Sequence, residues 1–237
     1  MQRRQFNQAG VSALGAVILA TYQQAHALSL GDLAGISNQD AGAGVKTALE
    51  KGALAAVAIL GKTDGFFGNE KVRIGLPGGL QDVAKLMKNL GQGKRIDELM
   101  LSINRAAEAA VPMGKDLLVG AVRAMTVADA KNILTGGDTS VTKFFAEKTR
   151  APLGVKFLPV VTKATEKVGL ANKYNDFAGK AAGFGLVKKE DANIQQYVTG
   201  KTLDGLYLII GEEEKKIRQD PVGTGSAILK KVFGAMK

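Results

Sequence analysis

From Ser37 onward, apolar residues recur every three or four positions in one segment after another, which is the period of helices packed on one side. Val45, Leu49, Ala53, Val57 and Leu60 mark a first helix, which Ser37 or Asn38 can cap and Gly61 can end. Pro77 suits a first helical turn, and Leu80, Val83, Ala84, Met87 and Leu90 carry the next apolar face before Gly91 and Gly93 punctuate it. A clear stripe then runs from Ile96 to Val111 on a helix over about 95–111. Pro112 predicts a break or kink ahead of another helix over 115–125.

The second half keeps the same period. Thr126, with Asp129 three positions later, resembles an acidic capping box for a short helix to Leu134, which Gly136-Gly137 stops. Asp138 or Thr139 is placed to cap a helix carrying Val141, Phe144 and Phe145. A bent segment over 151–168 contains Pro152 and Pro159, and shorter helices are predicted over 171–182 and 191–198. The strongest periodicity lies at 203–218, where Leu203, Leu206, Tyr207, Ile210, Glu214 and Ile217 share a face. There Glu212 with Lys216, and Glu214 with Arg218, stand four apart in the favourable order, and the 212–216 run reads as a solvated face. A last helix spans about 224–233.

Only 71–76 alternates with period two, so a sheet-based fold is not expected, and no repeat of fixed period or low-complexity linker is present. The expectation is an all-α fold: a single globular multi-helix domain of roughly ten helices over 38–237, behind a flexible leader at 28–37 with Gly31 and Gly35.

Residues 1–27 break this pattern. Arg3 and Arg4 precede a mildly apolar run from Ala9 to Tyr22, and Ala25-His26-Ala27 has the small-x-small form of a cleavage site. The run is too short to span roughly 30 Å of hydrocarbon as a stable anchor, so the expectation is a signal peptide cut after Ala27, with no transmembrane anchor left. An amphipathic first helix is the alternative, but a continuous apolar run between arginines and glutamines has little amphipathic character. Arg3-Arg4-Gln5-Phe6 resembles the twin-arginine export motif, although Gln2 and Asn7-Gln8 depart from it and leave the general secretory route open. A periplasm is the simplest destination.

Cleavage changes what chemistry is available. The sole histidine, His26, leaves with the signal, and the chain has no Cys and no Trp. Thiolate nucleophiles, Ser-His-Asp catalysis, disulfides and metal or haem sites built from nitrogen or sulfur ligands are thereby excluded, and no cofactor or metal is expected. Once Arg3 and Arg4 are gone, 30 basic residues face 22 acidic ones, a charge of +8. That favours anionic partners. Nucleic acid is disfavoured, because the basic residues are spread over every segment and aromatics are few.

Two places concentrate candidate chemistry. The loop over 62–75 sets Lys62, Asp64, Glu70 and Arg73 around Phe66 and Phe67 among three glycines. Lys62, Asp64, Phe66, Phe67 and Arg73 are the candidates for a ligand lip, against the plainer expectation that two phenylalanines anchor a long connection. A calcium loop fits poorly, because Asp64, Gly68, Asn69 and Glu70 lack alternate-position ligands. The polar candidates are Asn104, Arg105 and Glu108 on an otherwise apolar helix, together with Asp138. Arg105 and Glu108 are spaced for an ion pair, whereas Glu108 with Asp138 or Asp129 would be needed for glycosidase-type acid/base work. Gly136-Gly137-Asp138-Thr139 offers a helix start to an anion, but an Asp138 cap would repel it, and the spacing is not that of a phosphate-binding Walker loop.

Four segments carry a resemblance: KTDGFFGNEKVRIGLP at 62–77, NRAAEAAVP at 104–112, MTVADAKNILTGGDTSVTKFF at 125–145 and LDGLYLIIGEEEKKIRQDP at 203–221. Together they are similar to the bacterial family of domain of unknown function 4197, over about residues 28–235. The resemblance implies an exported, all-helical protein and implies no activity. Three functional expectations follow. The first is a non-enzymatic periplasmic protein that binds an apolar, amphipathic or anionic small molecule, a lipid or an envelope component. The others are a carboxylate-dependent hydrolase acting on cell-wall material and a structural or stress-related interaction protein.

Overall fold

The computed structural model describes residues 35–76, 78–126, 130–166, 174, 178 and 193–236. The expected signal at 1–27 and the leader as far as residue 34 lie outside them. So do Asp129 and nearly all of the helix expected over 171–182, of which Tyr174 and Ala178 are helical and buried.

The described residues form an all-helical single domain without strands. Its helices are α1 (Asn38–Leu60), α2 (Gly78–Met87), α3 (Gly93–Met113), α4 (Lys115–Ala124), α5 (Ala130–Leu134), α6 (Ser140–Glu166), α7 (Ile194–Gln219) and α8 (Ala227–Gly234). A π-helical turn, Lys88–Gln92, joins α2 to α3 without a break, so the described residues form seven continuous helices where ten or so were expected of the chain.

The difference has three local causes. Gly91, at φ +77°, is absorbed into the π turn and Gly93 opens α3 directly after it, so neither ends the helical run. Pro152 and Pro159 lie inside α6 on its exposed side. The carbonyls of residues 148 and 155, which lose their helical donors to these prolines, therefore lie on the solvent side of the helix. Third, Asn193 caps α7, its Oδ1 accepting from the N–H groups of Gln195 and Gln196, and the helix then continues through Gly200. The helices expected at 191–198 and 203–218 are thus one.

α1 begins as its sequence predicts. Ser37 Oγ accepts from Asp40 N–H at 3.0 Å, and Asp40 accepts from Lys231 Nζ of α8 at 2.7 Å. The Lys231 hydrogen bond, with that from Ser37, holds the Asp40 carboxyl below its ordinary value. α1 is buried through small residues, and glycines set its closest approaches: a Cβ on Gly44 would meet the Val232 side chain at 2.8 Å, and one on Gly52 would meet Ile210 at 3.3 Å.

α7 is the central helix, buried from Ile194 to Ile217 and packed between α1 and α6. Phe145 of α6 meets Tyr207 of α7 edge to face, with ring centroids 5.9 Å apart. The buried stripe of α6 recurs every fourth residue, through Phe145, Thr149, Leu153, Phe157 and Val161. On a 3.6-residue helix such a stripe turns about 40° per step, so α6 shows different sides to α3, α4, α5 and α7 along its length.

Candidate functional site

The loop after α1 is bound to α3 by Asn104, Arg105 and Glu108. Glu108 Oε1 accepts from the N–H groups of Phe66 and Phe67, each at 3.0 Å, and Oε2 accepts from Arg105 Nη1 at 2.6 Å. Arg105 reaches back with Nη2 to Asp64 Oδ1 at 2.8 Å, and these partners, the Glu108 hydrogen bond first, hold its guanidinium above its ordinary value. Asp64 itself takes a left-handed backbone conformation at φ +63°, which a short polar side chain tolerates better than most.

Further along, the period-two segment begins in a turn and continues without regular structure, with Val72, Ile74 and Leu76 buried. No strand pairs with it among the described residues. Instead Asn104 Oδ1 accepts from Ile74 N–H, and Nδ2 donates to Ile74 C=O, both at 2.8 Å, so one side-chain amide satisfies both backbone groups of a buried residue. Nδ2 also donates to Met100 C=O, which leaves none of that amide's hydrogens idle. Tyr197 of α7 donates to Gly75 C=O at 2.8 Å.

The five lip candidates divide within this latch. Phe66 is fully buried, and a Cβ on Gly205 of α7 would meet its ring at 2.7 Å, which marks it as the anchor of the loop. Phe67 is half-buried under Arg73, whose guanidinium carbon sits 4.4 Å from the ring centroid while Nε donates to Phe67 C=O. Asp64 is engaged by Arg105, and the Lys62 side chain is exposed. Asn104, Arg105 and Glu108 therefore belong to one assembly with Asp64, Phe66, Phe67 and Arg73. Asp138 does not join them. It is exposed and pairs with Lys215 at 3.3 Å.

A second assembly was not legible as a site. Glu214, on the run expected to be solvated, is 2% exposed in its side chain, and its carboxylate rather than Asp138 or Thr139 caps α6. Oε1 accepts from Val141 N–H at 3.1 Å, and Oε2 accepts from both Thr142 N–H at 2.8 Å and Thr142 Oγ1 at 2.7 Å. Arg218, four residues on, donates to Glu214 Oε1, to Leu134 C=O at the end of α5 and to Ser140 Oγ. The glycine pair between α5 and α6 is thus spanned by one ion pair from α7, and the amides considered for an anion already hold a carboxylate. The cue in the sequence was the placement of Glu214 on the same face as Leu206, Ile210 and Ile217. The two flanking acids, both partly buried, pair with lysines: Glu212 with Lys71 at 2.5 Å and Glu213 with Lys216 at 2.6 Å.

These arrangements constrain the chemistry. Each oxygen of Glu108 and Glu214 already accepts from protein donors, so neither carboxylate presents an idle oxygen to a substrate. Among the described residues there is no group of three or more His, Cys, Asp or Glu placed to hold a metal ion, and no helix long and apolar enough to cross a membrane. A small cleft of about 290 Å³ between α1 and the end of α7 holds Lys51, Lys216, Glu213 and Asp220. Its charged groups are each hydrogen-bonded within the protein: Lys51 donates to Thr224 C=O, Lys216 to Glu213, and Asp220 accepts from Gly223 N–H.

No curated protein and no solved structure matches this chain. A family model does, over residues 35–234, and its span takes in both the loop latch and the Glu214 cap. The chain belongs to the family described as protein of unknown function (DUF4197).

Proposed function

We propose that the protein is a non-enzymatic binding protein of the bacterial envelope, exported by its N-terminal signal, that works by offering surface to an amphipathic or anionic partner. The observation that carries this reading is the saturation of Glu108 and Glu214, the only charged side chains buried among the described residues. An acid or base in catalysis has to exchange a proton with substrate from a free or water-bound position. Both acids instead hold backbone N–H groups and an arginine, as structural caps do. The charge of +8 left once the signal is cut supports an anionic partner.

The test is native mass spectrometry of the protein recovered from the periplasm of cells producing the full chain. The expected result is a chain shortened by its first 27 residues that carries an extractable amphipathic molecule or a co-purifying envelope component. A full-length chain retained in the cytoplasm, or a processed chain free of any ligand or partner, would overturn the reading.

A further inference from the structure

The outer side of α6 combines an exposed apolar ridge with exposed lysines that have no carboxylate partner among the described residues. Val155 is 76% exposed, the most exposed large apolar residue described, and Pro152 and Pro159 lie exposed beside it at the spacing of one helix face. Lys156 and Lys163 stand on the same face, also exposed and with no carboxylate partner among the described residues, while Glu166 is the single acid there. By contrast, exposed lysines on α7 are neutralised locally, Lys201 by Asp204, Lys215 by Asp138 and Lys216 by Glu213. Leu158, Pro159 and Thr162 line an open groove of about 600 Å³ that both Lys163 and Glu166 border.

Burial on the opposite side of α6 cannot explain this composition, because Leu153, Phe157, Val161 and Ala164 already fill the core-facing positions. An exposed apolar ridge between unpaired lysines is what a surface needs in order to lie against anionic headgroups. The lysine stems run along the apolar boundary and the ammonium groups reach phosphate, while the ridge meets the upper acyl region. The prolines add a second fit. They free the carbonyls of residues 148 and 155 on the exposed side, a feature tolerated in the hydrated headgroup layer and not in the hydrocarbon core.

We propose that the outer face of α6, centred on Val155, Lys156 and Lys163, docks on the surface of an anionic phospholipid bilayer. This deepens the binding reading above by naming the partner. It is tested separately from export and from co-purification, because it needs only purified protein and vesicles.

The experiment is vesicle co-sedimentation with bilayers of 30% phosphatidylglycerol in phosphatidylcholine and with phosphatidylcholine alone, at two salt concentrations. The native chain is compared with the double variant Lys156→Gln/Lys163→Gln, with Val155→Ser and with a control pair on α3 and α8, Lys94→Gln/Lys230→Gln. All share the same N-terminal residues, so differences among them read the substituted faces. The expected result is salt-sensitive binding to the anionic vesicles only. It should be weakened about thirtyfold in the α6 lysine pair, from the loss of two lysines near the surface, weakened measurably in Val155→Ser and little changed in the control pair. Equal loss in the control pair would show diffuse attraction to the whole chain, and undiminished binding to neutral vesicles would show a different partner. Competition by inorganic phosphate beyond that of chloride at equal ionic strength would show a free-phosphate site. Each of these outcomes, like absence of binding to any vesicle, overturns the proposal.

Discussion

Thr142 donates to the carboxylate of Glu214 twice, through its backbone N–H at 2.8 Å and its hydroxyl at 2.7 Å, although 72 residues separate the two. The start of α6 is therefore capped by α7 instead of by its own preceding residue, and Arg218 completes the joint by holding both that carboxylate and the last carbonyl of α5.

Removal of one member of this joint leaves the others buried and unpaired. Glu214→Ala strands two amide N–H groups and the Arg218 guanidinium, and is expected to cost about 3–5 kcal/mol in urea denaturation. Arg218→Ala costs less, because Glu214 keeps its three donors from Val141 and Thr142. The double variant should cost clearly less than the sum of the two, since the unpaired charge is then gone. Additive losses would show that the two residues do not act as one unit.

Asn104 makes a sharper chemical test than Glu108, because its amide must accept from Ile74 N–H and donate to Ile74 C=O at once. Asn104→Asp keeps the shape and the acceptor but turns a carboxylate oxygen toward the carbonyls of Ile74 and Met100. Asn104→Leu strands both Ile74 groups at about 1–3 kcal/mol each. Both variants should destabilise the chain and speed hydrogen exchange at Ile74 N–H and proteolysis within 62–76. At neutral pH the Asp variant should be the worse of the two and should recover in part as acid protonates it. A pH-independent Asp variant would rule out the two-way role of the amide.

How much of this was legible follows from the kind of contact involved. Ser37 caps α1 as its neighbours predict, because N-capping is decided within a few residues, whereas Gly61 ends the helix in a right-handed conformation and makes room for Pro112. Phe66 anchors its loop as the plainer expectation had it, and Arg105 pairs with Glu108 at the spacing that predicts it. The cap of α6 could not be assigned, since nothing local distinguishes Glu214 from Glu212 and Glu213 except its place on an apolar face. The merged helices were hidden for a related reason. Pro152 reads as a helix start and Pro159 as a bend unless it is known that they face solvent, and the four-residue stripe of α6 drifts around the helix, so no single apolar face stands out.

Burial raises the phenol of Tyr207 above its ordinary value of 10.0, against the lowering effects of the Thr149 hydrogen bond and the nearby Arg150. The neutral phenol is thus the form favoured by folding. Its contribution to stability is complete below pH 10 and is lost as pH rises toward and through the folded value, because the unfolded chain ionises first. Absorbance titration of phenolate should show one tyrosine of the native protein titrating late, and Tyr207→Phe should remove that step and flatten the alkaline fall in stability. Persistence of the late step in Tyr207→Phe would assign it to another tyrosine.

Thr202 Oγ1, in the middle of α7, is the one buried side-chain polar atom without a hydrogen-bond partner among the described residues. Thr202→Val keeps the branched shape and removes the stranded hydroxyl, so it should raise stability by about 1 kcal/mol. Thr202→Ala opens a void instead and should lower it. A loss in Thr202→Val as large as that in Thr202→Ala would mean that the hydroxyl has a partner, such as a bound water.

Gly114, between α3 and α4, lies close against Phe157 of α6: a Cβ built on Gly114 would lie 2.1 Å from Phe157 Cζ. The glycine is not there for its backbone conformation, since φ −88° and ψ −1° are open to any residue. It is there for space, which separates two explanations that a single substitution confounds. Gly114→Ala should cost about 1–3 kcal/mol through overpacking, because the fully buried ring has nowhere to move. Phe157→Leu alone should also cost, by leaving a void where the ring tip was. Combined, the two should be markedly less costly than their sum, as the alanine methyl occupies the space the ring vacates. Additive losses would place the cost in the backbone of the α3 to α4 turn and not in the contact with Phe157.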